Sequence, residues 1–309
     1  MLTLWKTRKS ADRKRICRNS FTSLLTFNIF LSFWFLYFSD RSANGELPHV
    51  LEPDLQVTVV VMSGGERVAE LQSIFEYYLR NVSRSVLPSV QLVWNNMSTV
   101  PLSQSILRHP AFTLHREHFN TLNNRYAHWK DIHTDLTLVT DDDCLILDVL
   151  SAAQVHKRYK GRPVIFFGRA HDLKGGRLTY INNYLKFGRY SFGTGQATLL
   201  KTSWLRAFST DPALFGIRQH IDSNRPTCED IALHMYISNC TGLPPILASA
   251  GQKELHFTKG TGMSRVDEDG WFVARERCMN MFVSEHFGAR NPLRYSEKTR
   301  PVKSLDDDS

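Results

Sequence analysis

Leu136-Thr-Leu-Val-Thr-Asp-Asp-Asp-Cys-Leu-Ile146 is the stretch that decides the fold of this 309-residue chain. Five apolar or β-branched residues deliver three carboxylates, Asp141, Asp142 and Asp143, and the chain turns apolar again at once. This pattern predicts a buried strand with its acids at the carboxyl end, where open α/β sheets keep their ligands. Upstream, Leu55 to Met62 is a nearly continuous apolar run, the mark of a strand covered on both faces in a parallel sheet. Ser63-Gly64-Gly65 then turns the chain, and Val68, Leu71, Ile74, Phe75, Tyr78 and Leu79 recur at helical spacing. Further strands are expected at 90–94, 112–114 and 164–167, and helical patterns lie near 122–132 and 147–159. The alternation predicts an α/β fold around a mixed, mostly parallel sheet.

Three adjacent anions repel one another. A divalent cation removes that repulsion and gains oxygen ligands, and a nucleotide-sugar diphosphate would complete its shell. The cation would then neutralise charge growing on the departing diphosphate. A solvated acidic turn and a phosphohydrolase with a nucleophilic first Asp are two other readings of the triplet. The apolar flanks count against the first, and the late position of the strand counts against the second.

The formal charge of +8 is concentrated at one end. Residues 1–20 hold seven Lys or Arg against Asp12 alone, which is +6 and leaves +2 for the remainder. So neutral a body lacks the basic footprint of a nucleic-acid partner. The basic end instead precedes Phe21 to Phe38, eighteen uncharged residues that can just span a bilayer, with the positive side cytoplasmic. The expected organisation is a cytoplasmic tail (1–20), a transmembrane anchor (21–38), a stem (39–53), a luminal domain (54–296) and a solvated tail (297–309). That is a single-pass type II protein of the Golgi or ER membrane. Three sequons, at Asn81, Asn96 and Asn239, suit a luminal chain, and Cys144, Cys228, Cys240 and Cys278 would meet an oxidising compartment. The histidines show no paired spacing and read as core or surface, with His171 and His256 the best exceptions.

A second acidic motif is Thr227-Cys-Glu-Asp-Ile-Ala-Leu-His-Met-Tyr-Ile237, which predicts an amphipathic helix opened by a capping box between Thr227 and Asp230. The helix dipole would also hold Asp230 ionised, which suits an anion facing a positively charging sugar carbon.

Several segments, in order, resemble the exostosin-like glycosyltransferases of sequence family 64. They are Val93-Trp-Asn-Asn96, Asn120 through Arg125, the acidic triplet, Cys228-Glu-Asp-Ile-Ala232 and Thr241-Gly-Leu-Pro-Pro245. Gly260-Thr-Gly-Met263, Arg275-Glu-Arg-Cys-Met-Asn280 and Pro292-Leu-Arg-Tyr-Ser296 complete the series. The resemblance implies a GT-A fold and transfer of N-acetylhexosamine from UDP-GlcNAc or UDP-GalNAc, with retention, to a glycan or glycolipid acceptor. Mn²⁺ is the implied cofactor, with Mg²⁺ also accommodated by oxygen ligands.

Carried over by position, the resemblance gives Arg67 and Asn95 to the uridine region, Asn120 and Arg125 to the nucleotide-sugar, and Asp141 and Asp142 to ribose or sugar. Asp143 would hold the metal, Asp230 would lie beside the anomeric carbon, and Arg275 would reach the diphosphate. Cys228 and Cys278 would form a disulfide. A glycan on Asn96 would crowd the nucleotide pocket, so that sequon is expected to be unmodified. The family's usual Thr-Tyr-Asn-Arg after the first strand is here Gly64-Gly-Glu-Arg67, Glu229 replaces an Asp, and 168–190 lacks recognisable family features. The rival reading is a catalytically inactive GT-A membrane protein that binds a glycan or a partner.

Overall fold

The computed structural model describes residues 53–159, 161–223, 227–248, 251–255 and 268–296. Its twelve strands in chain order are β1 (Val57–Ser63), β2 (Ser89–Trp94), β3 (Phe112–Arg116), β4 (Leu136–Asp141), β5 (Cys144–Ile146) and β6 (Val164–Ile165). They continue as β7 (Gly168–Lys174), β8 (Arg177–Ile181), β9 (Phe192–Gly193), β10 (Ala197–Lys201), β11 (Ile246–Leu247) and β12 (Gln252–Glu254). Seven strands form the main sheet in the order β11-β6-β10-β4-β1-β2-β3. β10 alone runs against its neighbours, being antiparallel to both β4 and β6, while the other pairings are parallel. The expectation of a mixed, mostly parallel α/β sheet holds.

The apolar run of β1 has a simple cause. Alternate strand residues point to opposite faces, and here both faces are covered. Val57, Val59 and Val61 join a core with Leu71, Ile74, Phe75 and Tyr78 of the helix Val68–Asn81 and with Ala152 and Ala153 of Val149–Arg158. Val60 and Met62 face the opposite core with Leu205, Phe208, Ile217, Ile231, Met235 and Phe282. Val57, Val59 and Val61 are fully buried, each removing apolar surface from water worth roughly 1.5–3 kcal/mol.

Register then sets the site. Ser63 pairs with Trp94, and Met62 pairs with Asp141. The carboxyl ends of β1, β2 and β4 therefore lie side by side, at the point where the strand order reverses from β1-β2-β3 to β4-β10.

Some expected elements differ. The pattern at 122–132 yields only a short helix, Asn124–Ala127, and a 3-10 turn, Trp129–Asp131. The featureless stretch after Gly168 is a hairpin of β7 and β8, turned by Gly175 and Gly176 at φ 56° and 78°. Two successive positive φ values fit the right-handed twist of flanking strands. Among the described residues no helix is long and apolar enough to cross a membrane. The predicted cytoplasmic tail, the anchor, the stem up to residue 52, His256, Gly260 to Met263 and the tail 297–309 lie outside the described residues.

Candidate active site

The acidic triplet sits where its sequence predicts. β4 ends at Asp141, and a tight turn leads into β5. Asp142 and Asp143 are each only 6% exposed. Their charge is met by arginine. Arg67 donates from Nη1 to Asp142 Oδ1 at 2.8 Å and lies 3.1 Å from Asp143 Oδ2, while Ser63 Oγ donates to Asp142 Oδ2 at 2.6 Å. Burial raises the Asp142 pKa, with Ser63 and Arg67 pulling the other way. Arg67, at the start of the helix after β1, lies against both carboxylates and offsets part of their charge.

Arg125 serves the third. Its Nη2 donates to Asp141 Oδ1 at 2.5 Å, and its Nη1 donates to the carbonyl of Gly195. The side chain is 4% exposed, and its Nε lies 3.7 Å from Glu229 Oε1. Burial alone would lower the Arg125 pKa, but Asp141 and Glu229 outweigh it and hold the guanidinium charged. The repulsion among three acids is thus already relieved in part by two guanidiniums, a compensation that sequence spacing did not reveal.

Gly195 carries the network onward. Its N–H donates to Asp230 Oδ2 at 2.9 Å, so one peptide joins Arg125 to the second acidic motif. A Cβ there would fall 2.7 Å from Glu229 Oε1 and 2.9 Å from Arg125 Nη1, so a larger residue would have to displace these two side-chain ends. Gly195 and Glu229 are the site residues that sequence reasoning missed. The available signal was Gly193-Thr-Gly195, two glycines just before a strand, where close backbone approach is common.

Asp230 is buried and bound on both oxygens. Arg275 Nη2 lies 2.9 Å from Oδ1 and 2.8 Å from Oδ2, and the Ile231 N–H donates to Oδ1 at 2.7 Å. Burial pushes the Asp230 pKa up, but Arg275 and the two backbone donors more than offset it, so the carboxyl is held below its usual range. Glu229 has the opposite fate: burial and the neighbouring Asp230 push it up to about 7. Arg275 also faces the rings of Tyr180 and Trp271 at 5.0 and 5.6 Å.

The capping box does not form. The N-cap of the helix Glu229–Thr241 is Cys228 at φ 79°, with no side-chain cap, and the Thr227 hydroxyl accepts from Arg275 Nη1 at 3.3 Å. Asp230 is spent on Arg275 and Gly195 because it is buried among them, where a guanidinium outcompetes a backbone amide. Nor is the helix amphipathic: Glu229 to Met235 are buried without a break. The Cys228–Cys278 disulfide is present and ties the first turn of this helix to the helix Glu268–Glu285, which bears Arg275. It also holds Cys228 in a backbone region that costs a non-glycine residue about 1–3 kcal/mol.

On the β2 side, Asn95 is buried and receives a bond from Asn124 Nδ2 at 2.9 Å. Its own Nδ2 donates to Thr121 O at 3.0 Å and Asn120 Oδ1 at 3.3 Å. Asn120 itself is exposed. Asn96 Nδ2 donates to Gly64 O at 3.0 Å. His171 is a core residue: it bonds Ser191 and Asn291, stacks on Tyr295 at 4.4 Å, and is pushed down to about 4 by burial. The structure thus joins Ser63, Arg67, Asp142 and Asp143 in one group. It links Asp141, Arg125, Gly195, Asp230 and Arg275 in another, with Asn95 and Asn120 in a third.

The family model for the glycosyl transferase family 64 domain matches residues 57–303. The chain is 30% identical over 245 residues to the Exostosin-like-3 homolog of Caenorhabditis elegans, covering 78% of this chain and 28% of that one. It is 28% identical over 265 residues to Glycosylinositol phosphorylceramide mannosyl transferase 1 of Arabidopsis thaliana, covering 77% and 74%. It is 27% identical over 230 residues to Exostosin-like 2 of Mus musculus, covering 68% and 67%. The match thus spans little more than a quarter of the first of these relatives and about two thirds or more of the other two.

Proposed function

This chain belongs to glycosyl transferase family 64, and from that premise we propose that it moves an N-acetylhexosamine from a UDP-sugar to a glycan or glycolipid acceptor, metal-dependently and with retention. The observation that carries the reading is the unbroken line of contacts Asp141–Arg125–Gly195–Asp230–Arg275, which couples the strand-end acids to a buried carboxylate–guanidinium pair.

The donor set fits a hard cation. The triplet offers carboxylate oxygens, as Mn²⁺ and Mg²⁺ prefer, and Asp143 is the ligand we assign. Asp142 accepts from Ser63 and Arg67, and Asp141 from Arg125, contacts that suit these two to orienting the donor. When bound, the cation supplies Lewis-acid stabilisation of the diphosphate leaving group. Arg67 offsets part of the charge on Asp142 and Asp143. Asn95 and Asn120 would contact the nucleotide, and Arg275 would present positive charge towards the diphosphate while fixing Asp230.

Asp230, held ionised, stabilises the oxocarbenium-like sugar carbon while the acceptor oxygen attacks on the leaving-group face and the diphosphate takes its proton. One observation favours this one-step route over a glycosyl–Asp230 intermediate: both Asp230 oxygens already accept hydrogen bonds, which weakens them as nucleophiles. Mass-spectrometric trapping of a glycosyl–Asp230 adduct would overturn it.

Residues 21–38 would anchor the chain in a Golgi or ER membrane with the domain in the lumen, where the Cys228–Cys278 bridge persists. The test is donor hydrolysis and transfer by the purified chain, with and without Mn²⁺, against UDP-GlcNAc, UDP-GalNAc and GDP-mannose. The last is included because one relative is named as a mannosyl transferase. Asp143→Ala should abolish cation-dependent UDP binding by calorimetry, and retained binding would sink the metal assignment. No turnover of any donor would favour the inactive glycan- or partner-binding scaffold.

A further inference from the structure

The stretch 168–190, which lacks recognisable family features, is built of β7, β8 and the short helix Tyr184–Phe187. It holds Arg169, Lys174, Arg177, Lys186 and Arg189 against the single acid Asp172, which is +4. Residues 21–309 sum to only +2, so what lies outside this stretch is −2. The positive charge of the body is therefore concentrated here.

It is sharpest at the hairpin tip. Lys174 and Arg177 stand directly opposite each other across the Gly175-Gly176 turn. Residues paired in this way share a face of the hairpin, with Cβ atoms about 5 Å apart, and like charges there are unfavourable. Both are exposed, and among the described residues neither makes an ion pair. Asp172 lies on the same face, but its Oδ1 accepts from the Leu173 N–H at 2.9 Å. Nothing stands within 4 Å of a Cβ placed on Gly175 or Gly176, so the turn between the two cations is open.

The other face of the hairpin fixes where that tip stands. His171, Leu178 and Tyr180 are buried. The Leu178 N–H donates to Asn280 Oδ1 at 2.9 Å, Asn280 Nδ2 donates back to Leu178 O at 2.7 Å, and the Tyr180 N–H donates to Glu276 Oε1 at 3.0 Å. β8 is thereby fastened to the helix Glu268–Glu285, whose Arg275 lies 5.0 Å from the Tyr180 ring. Arg177 is three residues along the strand from Tyr180, about 10 Å at the usual rise. The hairpin follows β6 in the chain, and β10 and β4 separate β6 from β1 and β2, the strands that lead to Arg67 and Asn95.

Two like charges held face to face over an open turn are relieved by an anion, and the Arg177 fork matches two oxygens of a carboxylate, sulfate or phosphate. We propose that Lys174 and Arg177 form an anion subsite that holds such a group on the acceptor, beyond the sugar that receives the transfer. The subsite rests on the transferase reading and adds a requirement to it. The acceptor carries negative charge set back from its reacting hydroxyl by roughly the 10 Å that separates the tip from Tyr180.

A glycan and a lipid headgroup can both supply that anion, so the test offers the full chain, in detergent, one probe of each kind. These are a glucuronate-containing oligosaccharide and glycerophosphoinositol, with the carboxyl-reduced oligosaccharide and free inositol as their neutral counterparts. Calorimetry should show that at least one charged probe binds, about tenfold more tightly than its neutral counterpart and less tightly at high salt. The probe that binds names the source of the anion. Lys174→Gln/Arg177→Gln should remove that tenfold advantage, and Lys174→Arg should keep it. Both residues are exposed and the double variant relieves a repulsion, so its Tm should equal or exceed that of the wild type. Failure of both charged probes to bind, equal binding of the neutral counterparts, or unchanged affinity in the double variant overturns the subsite. Mn²⁺-dependent UDP binding, measured on the same samples, should be equal in variant and wild type, and its absence from both counts against the transferase reading separately.

Discussion

The Arg275 guanidinium clasps the Asp230 carboxylate from 2.8 and 2.9 Å, and both residues are under 5% exposed. A pair so buried is costly to break from one side, because the survivor is left charged without compensation. Arg275→Ala should destabilise the domain by about 3–5 kcal/mol, measured by chemical denaturation. Asp230→Asn keeps the shape but removes the charge. It should lower kcat by on the order of 100-fold or more with a smaller change in donor KM. A kcat near wild type in Asp230→Asn would remove Asp230 from the chemistry.

A side chain at Gly195 should disturb the link between the two acidic motifs. In Gly195→Ala the new Cβ would meet Glu229 Oε1 and Arg125 Nη1 at under 3 Å, displacing the Arg125 guanidinium from its contacts with Asp141 and the Gly195 carbonyl. The expected outcome is a folded protein with strongly reduced transfer and weakened Mn²⁺-dependent UDP binding, read by calorimetry. Wild-type affinity and turnover would mean that the link from Arg125 to Asp230 is incidental.

The Cys228–Cys278 bridge closes a sequence separation of 50 residues. Constraint of the unfolded chain predicts roughly 2–4 kcal/mol of stabilisation. The Cys228→Ser/Cys278→Ser variant should melt well below the wild type, and reductant should lower only the wild-type Tm. Because the bridge also fastens the Asp230 helix to the Arg275 helix, activity should fall at temperatures where both proteins remain folded.

Asn96 spends both ends of its amide, donating to Gly64 O and accepting from the Ser98 N–H at 2.9 Å, whereas Asn81 and Asn239 are exposed. A glycan on Asn96 would disturb the turn that leads to Arg67. Site-resolved glycopeptide mapping should find Asn96 unoccupied, and full occupancy would count against Asn95 as a nucleotide contact.

Acid should unfold the domain through its buried histidines. Burial pushes His156, His171 and His234 each down to about 4, against an unfolded value of about 6.5. Between those values the unfolded chain binds more protons, so stability is greatest above about pH 6.5 and is lost as pH falls towards 4, by on the order of 1–3 kcal/mol per ring. Denaturant midpoints from pH 7.5 to 4.5 check the slope, and a flat profile would contradict it.

The legible parts of the fold are those with local causes. β1 and β4 are written as apolar runs because helices cover both faces of the sheet, and the helix Val68–Asn81 announces itself by the spacing of Leu71, Ile74, Phe75 and Tyr78. The hairpin of β7 and β8 went unread because its strands are polar and partly exposed, although Gly175-Gly176 was its signal. The Thr227–Asp230 capping box was misread for a different reason. A local motif loses to a long-range partner when burial makes an unpaired carboxylate costly, and Arg275 is that partner.

Three carboxylates at the end of a buried strand, and a second acid opening a helix near a cysteine, can be read from the residues alone. What those acids touch is a matter of the folded chain. Ser63 and Asp142 are 79 positions apart, Asp230 and Arg275 are 45 apart, and His115 meets His128 across a turn. Such pairings depend on strand register, on the approach allowed by Gly195, and on which groups are denied water. None of these is encoded in the spacing of residues along the chain, because the energy of a buried charge is set by its neighbours in space.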